Sequence, residues 1–286
     1  MNLLFSIDRK VIPYLLNCVR SILERGGARF YDIYILHSDL TQEDQAYIRS
    51  SIGPDAACHF IFVPPEVFQG FPESDRYPKQ IYYRIAAPLL LPPTLDRILY
   101  LDVDIVVINP LRSLYEMDFD GAYFMACSHA DKLLSKFNQV RLGVEKDVPY
   151  INSGVMLLNM PVLRSQMNME KIREFALKNR YRLFLPDQDI ITALVGEKVL
   201  LLDTMKYNLS DRILTLYNLD PTHEKLDLDW IRKNSVIIHY CGKAKPWREN
   251  YEGTLGVFYE ELIRGAAAHE QAGTCLSDDE APLSAH

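Results

Sequence analysis

Cysteine is scarce in this chain, and its placement excludes two architectures. Cys18, Cys58, Cys127, Cys241 and Cys275 are spread over 286 residues without CxxC spacing, so neither a disulfide framework nor a thiolate zinc site is indicated. Long hydrophobic runs are missing as well. No segment reaches the roughly eighteen apolar residues of a membrane span, and the opening MNLLFSIDRK is too short for a secretory apolar region and runs at once into Asp8 and two bases. These absences predict a cytoplasmic protein without a transmembrane segment, with room for peripheral association at the inner face of the membrane. Basic charge is in deficit too: the formal net charge is -7, and no Lys/Arg cluster goes beyond a short pair such as Arg180 and Arg182. A phosphate-backbone reader is therefore excluded, and with it a nucleic-acid partner. Neither a GxxxxGK[ST] loop nor a GxGxxG fingerprint occurs, and no internal repeat or linker divides the chain.

What is present is an alternation of short apolar runs and helical periodicity. Leu3 to Ile7 reads as a strand, and Leu15, Leu16, Val19, Ile22 and Leu23 recur at helical spacing between Tyr14 and Glu24. Tyr31 to His37 reads as a second strand. Thr41 with Asp44 forms a capping box for a helix to Ser51, and His59 to Val63 reads as a third strand. This βαβαβ opening predicts a mostly parallel sheet flanked by helices. Pro64 to Pro78 is a loop, and an aromatic helix with Tyr82, Tyr83 and Arg84 starts at Gln80 and ends near Pro92. Further strands are predicted over Ala122–Cys127, Tyr150–Met160, Lys198–Asp203 and Ser235–Tyr240. Asp131 to Val148 reads as a polar excursion. Helices are predicted over Pro161–Asn179, Ile190–Val195 and Asp227–Lys233. One α/β domain covers 1–264, and the acidic, small-residue stretch 265–286 reads as a mobile tail.

The chemistry centres on Arg97 to Ile108, RILYLDVDIVVI, an apolar β-branched run broken by two carboxylates. In a continuous strand Asp102 and Asp104 leave one face while Leu101, Val103 and Ile105 face packing. Two anions that close require a cation or a dense set of donors, and a divalent metal is the usual solution. Asp-x-Asp by itself is common at strand ends. His239, closing the strand SVIIHY, supplies a third ligand at the same sheet edge. Two carboxylates and an imidazole suit Mn²⁺ or Mg²⁺ better than zinc. Gly242-Lys243-Ala244-Lys245 follows at once and offers close backbone approach and ammonium groups, a cradle for a nucleotide diphosphate bridged by the cation.

Taken in order, LYLDVDIVV, YINSGVMLLNM, PDQDI and VIIHYCGKAKPW resemble glycosyltransferase family 8, which includes lipopolysaccharide galactosyl- and glucosyltransferases and glycogenin. The resemblance runs from residue 3 to about Trp247. It implies a GT-A type fold, with a Rossmann-like, mostly parallel mixed sheet, and retaining transfer of galactose or glucose from UDP-galactose or UDP-glucose with Mn²⁺ (or Mg²⁺) to a saccharide acceptor. It places the metal on Asp102, Asp104 and His239. The donor falls on Asp8, Arg84, Val103 and Asn152 besides these aspartates, and the diphosphate on Gly242 and Lys245. Asp187 and Gln188 fall beside the donor sugar as the catalytic candidates. Asp187 can equally be read as the cap of the helix that follows it. Arg9 and Lys10 stand where the family often has Asp-Asn, and Ser128 and His129 stand where it often has an aspartate, which bears on sugar preference. Two other functions fit parts of the pattern. A sugar-nucleotide nucleotidyltransferase would need a Gly-rich basic loop after the first strand, and Ser6-Ile7-Asp8 is not one. A catalytically silent UDP-sugar or glycan binding module would bind UDP without turnover.

Overall fold

In the computed structural model the described residues are 1–74, 77–130, 132–145 and 147–275. The first half follows the hydrophobic pattern closely. β1 (Asn2–Ser6), α1 (Ile12–Arg25), β2 (Tyr31–His37), α2 (Gln42–Ile52) and β3 (Ala56–Phe62) form two parallel crossover units. The capping box is present, with Thr41 accepting from the Asp44 N–H and Asp44 from the Thr41 N–H. Then come α3 (Tyr83–Leu90), β4 (Arg97–Leu101), β5 (Ile105–Val107), α4 (Arg112–Tyr115), β6 (Phe124–Cys127), α5 (Lys132–Leu142) and β7 (Asn152–Asn159). The rest comprises α6 (Met160–Gln166), α7 (Met169–Lys178), α8 (Pro186–Val195), β8 (Val199–Leu201), α9 (Thr204–Tyr207), α10 (Asp211–Leu219), α11 (Leu228–Asn234), β9 (Ile237–His239) and α12 (Gly256–Cys275).

Seven strands make the main sheet in the order β3-β2-β1-β4-β7-β6-β8, and β5 pairs with β9 in a separate two-stranded sheet. Only β7 runs against its neighbours, β4 and β6. The sheet is thus mixed and mostly parallel, as the sequence led us to expect. Alternate residues of the central strands feed two cores. Leu3, Phe5, Ile33, Leu99 and Leu101 pack with α1 and α2 on one face, while Leu4, Leu36, Ile98, Tyr100 and Met156 pack with α3 and α6 on the other. A third cluster, with Val106, Ile238, Leu214, Phe258 and Leu262, joins the small sheet to α10 and α12. Burial of both faces is what makes β1 and β4 unbroken apolar runs in the sequence.

The structure departs from the sequence expectations at four places. The predicted continuous strand Arg97–Ile108 is broken: β4 ends at Leu101, the chain bends at residues 102–104, and β5 leaves for the second sheet. The predicted helix Pro161–Asn179 is two, because the Asn168 side chain takes the Lys171 N–H and starts α7 afresh. The polar excursion 131–148 contains the helix α5, whose Leu133, Phe137 and Val140 lie outward, so apolar periodicity marks its exposed face. The tail expected from residue 265 begins inside α12, which runs on to Cys275, and the remainder, 276–286, lies outside the described residues. No helix among the described residues is long and apolar enough to cross a membrane.

Candidate active site

The bend at residues 102–104 creates the site. The Asp102 N–H donates to the Gly154 carbonyl (2.8 Å), extending the β4–β7 ladder by one bond. The Asp104 carbonyl accepts from the Tyr240 N–H (2.9 Å), and Ile105 stands opposite His239 in the β5–β9 pair. The two aspartates therefore converge from the junction of two sheets, rather than from one face of one strand. One ligand atom from each of Asp102, Asp104 and His239 lies within 4.8 Å of the others. His239 Nε2 is 3.2 Å from Asp104 Oδ1 and 3.8 Å from Asp102 Oδ2.

A chain of hydrogen bonds fixes the imidazole. The Gly154 N–H donates to Asn152 Oδ1 (3.1 Å), so that oxygen is an acceptor, and Asn208 must offer it Nδ2 (2.9 Å). Asn208 Oδ1 is then turned to His239 Nδ1 (2.8 Å), which must carry a proton. Nε2 is left facing the two carboxylates, where either a shared proton or a metal cation fits. Gly154 is required by the same crowding: a Cβ there would stand 2.3 Å from His239 Cε1 and 2.7 Å from Asp102 Oδ2. Asn208 was not singled out from the sequence, and an isolated asparagine after Tyr207 carries no signal that could have marked it.

The second wall is built around Arg84, which is buried. Its guanidinium reaches Asp102 Oδ1 (2.9 Å), Asp187 Oδ2 (3.3 Å) and the Ser153 carbonyl (2.9 Å), and lies over the Tyr100 ring. Tyr100 OH donates to Asp102 Oδ1 (2.7 Å). Burial raises the Tyr100 phenol well above its ordinary value, keeping it a neutral donor. Asp187 Oδ2 also accepts from Ser153 Oγ (2.8 Å), and Gln188 Oε1 lies 3.4 Å from the Ser153 N–H. Asp187 is not the cap of α8. It lies in the first turn, with Leu185 at the N-cap making no side-chain cap bond, and Asp189 takes the Phe184 and Leu185 N–H groups instead. Burial pushes the Asp187 carboxyl up, and Arg84 and Ser153 pull it back in part.

These residues line a cavity of about 560 Å³. Arg84, Asp102, Asp104, Asn152, Asp187, Gln188, His239, Gly242 and Lys245 all contribute to its wall. Two sequence candidates do not. Asp8 follows β1 and caps a short 3₁₀ turn through the Lys10 N–H (2.9 Å). Val103 packs towards the first core and a narrow cleft with Tyr14 and Trp247, as side-chain alternation suggested. Burial would raise the Asp104 carboxyl, but His239 and Lys245 together hold it well below the usual carboxylate range. Lys245 Nζ reaches Asp104 Oδ2 and also the Tyr240 carbonyl (2.9 Å). Gly242 turns that loop at φ +101°, a conformation that favours glycine. His129 and Cys241 also line the cavity. Burial, with His239 nearby, lowers His129 to about 4 and so keeps it neutral, and burial with Asp104 raises the Cys241 thiol to about 11.

The donor set fits a hard divalent cation. It offers two carboxylates and one imidazole nitrogen whose orientation is fixed from behind, without thiolate, and it is open on the cavity side. Comparison with known proteins places the chain in a family. The family model described as glycosyl transferase family 8 matches residues 2–251. A lipopolysaccharide 1,2-glucosyltransferase of Escherichia coli is 25% identical over 256 residues, covering 87% of this chain and 73% of the relative. General stress protein A of Bacillus subtilis is 27% identical over 197 residues, 67% of each. The crystal structure of the galactosyltransferase LgtC with donor and acceptor sugar analogues superposes with a TM-score of 0.76 at 24% identity, covering 93% of this chain and 96% of that one; this likeness bears on the fold.

Proposed function

The chain belongs to glycosyl transferase family 8, and from that premise we propose that it moves a hexose, galactose or glucose, from UDP to a saccharide hydroxyl with retention of configuration. The observation that carries the metal part of this reading is the convergence of Asp102, Asp104 and His239 with Nε2 turned inward. Mn²⁺, with Mg²⁺ as the substitute, would be held by these three residues and would supply charge for the departing diphosphate. Gly242 and Lys245 line the same cavity, with Lys245 against Asp104, and the ammonium of Lys245 would add a point charge for the phosphate oxygens as the bond to the sugar breaks.

Across Arg84 from Asp102, Asp187, anchored by Arg84 and Ser153, would hold hydroxyls of the donor sugar. Gln188 beside it lines the same cavity. Retention requires either a nucleophile on the far face of the sugar or attack from the leaving-group face. Both side chains are candidates for the first, and Asp187→Asn and Gln188→Ala separate them by which one abolishes turnover while leaving UDP affinity intact. The name of the E. coli relative supports a saccharide of lipopolysaccharide type as the acceptor.

The experiment is a screen of UDP-sugars with Mn²⁺, read out by released UDP with and without saccharide acceptors. Turnover of UDP-galactose or UDP-glucose that disappears on chelation and returns with Mn²⁺ is expected. UDP binding by calorimetry without turnover of any donor would reduce the protein to a binding module.

A further inference from the structure

The concentration of bases at Arg180 and Arg182 has no part in the cavity chemistry, and it lies beside an apolar surface. α5 presents Leu133, Phe137 and Val140 at i, i+4 and i+7, with Leu133 79% and Val140 84% exposed. From the segment between α7 and α8, Tyr181 and Phe184 join them, at 85% and 56% exposure. The patch is ordered: the Phe137 and Phe184 rings stack at 6.4 Å, and the Arg141 guanidinium, fixed by Asp189, lies over Phe184. Phe137, Val140, Arg141, Tyr181 and Phe184, with Arg182, line a groove on the outside of the fold, and Leu133 continues the α5 stripe one turn before Phe137. A contiguous set of large exposed apolar groups on two elements is a contact surface, since scattered ones need no explanation but clustered ones do.

Charge identifies what covers it. The groove itself carries Arg141 and Arg182 and no Asp or Glu, and segments 132–142 and 178–184 contain Lys132, Lys136, Arg141, Lys178, Arg180 and Arg182 and no acidic residue, in a chain whose net charge is -7. Glu170 and Glu174 of α7 line the adjoining cleft with Tyr181. Lys136, Lys178, Arg180 and Arg182 are exposed. Aromatic and aliphatic groups framed by bases, on an otherwise acidic protein, match the boundary between anionic headgroups and acyl chains. Position agrees with this. Leu134 on α5 and Leu185 next to Phe184 both line the main cavity, so the patch adjoins its mouth. We propose that α5 and residues 180–184 form an interfacial surface that seats the protein on an anionic lipid bilayer with the cavity mouth towards the membrane. This goes beyond the transferase reading and does not need it, because the test measures lipid binding.

The test is vesicle flotation of the full chain with phosphatidylglycerol and with phosphatidylcholine vesicles, at low and high salt. Flotation with phosphatidylglycerol alone, weakened by salt, is expected. Phe137→Ser/Phe184→Ser and Lys136→Glu/Arg182→Glu should each weaken it on the order of tenfold. The second pair touches only exposed charges, so its melting temperature should match the wild type even if the first pair disturbs packing. Absence of flotation, equal flotation by the charge-reversed protein, or a concentration-dependent dimer that Phe137→Ser/Phe184→Ser dissolves would each overturn the proposal.

Discussion

Asp189 and Asp104 are both carboxylates taken largely out of water, and they differ in how many protons are aimed at them. Asp189, fully buried, accepts from two Arg141 nitrogens (2.8 and 2.6 Å), Tyr150 OH (2.7 Å) and the Phe184 and Leu185 N–H groups. Its lone pairs are spent inside the protein. Asp104, beside Asp102 and His239, shares Lys245 and one imidazole nitrogen and opens on the cavity. Saturation marks a carboxylate that holds structure. Convergent acceptors with fewer donors than lone pairs mark one held for a ligand.

Substitution should separate the two clusters. The largest effect expected is on turnover of Asp104→Asn, which should fall on the order of 10³-fold or more with little change in melting temperature, since an anionic ligand that would hold the metal is lost. Wild-type rates of UDP release by this variant would make the bend a structural feature only. Asp189→Ala should do the reverse, costing about 3–5 kcal/mol of stability in a denaturant melt because Arg141 is left buried and unpaired, while protein that remains folded keeps its activity. Metal sharpens the contrast further: Mn²⁺ at about a hundred times its dissociation constant should stabilise wild type and Asp189→Asn by about 2.7 kcal/mol. Asp104→Asn should gain nothing from it.

Asn208→Ala should weaken Mn²⁺ binding by about 10–100-fold, measured by calorimetry, because the His239 ring loses the partner that sets its tautomer. An unchanged affinity would mean that packing alone orients the ring. The smallest effect concerns Asp187, which stands between the clusters and whose carboxyl is raised by burial. A raised carboxyl binds its proton more tightly folded than unfolded, so its contribution to stability is present at low pH and is lost as pH rises past the ordinary carboxylate range. Stability of Asp187→Asn relative to wild type should therefore increase over that rise, in paired denaturant melts at successive pH values.

Legibility in the sequence followed locality. β1, β2 and α2 were readable because their evidence is contained within themselves: apolar runs buried on both faces, and a capping box three residues long. Asp102, Asp104, His239 and Lys245 were readable as residue types in ordered motifs, and the structure brings them to one cavity. α5 was missed although Leu133, Phe137 and Val140 recur at helical spacing, because the polar residues Lys132, Ser135, Lys136, Asn138, Gln139 and Arg141 between them make the segment polar as a whole. Asn168 gave no warning that it would divide a helix, since asparagine serves equally in turns and caps. Asp187 looked like a cap because the helix was expected to begin at Ile190; α8 begins at Pro186, which puts Asp187 inside its first turn.

The amino-acid order alone determined the alternation of strands and helices, the acidic doublet and the histidine–glycine–lysine run, because each depends on neighbours along the chain. Tertiary structure decided the rest. It broke the doublet's strand so that Asp102 belongs to one sheet and Asp104 to the edge of another, and it brought Asn208 behind His239 and Arg84 between Asp102 and Asp187. Hydrogen bonds between residues far apart in sequence are set by how sheets pack, and no local pattern records them.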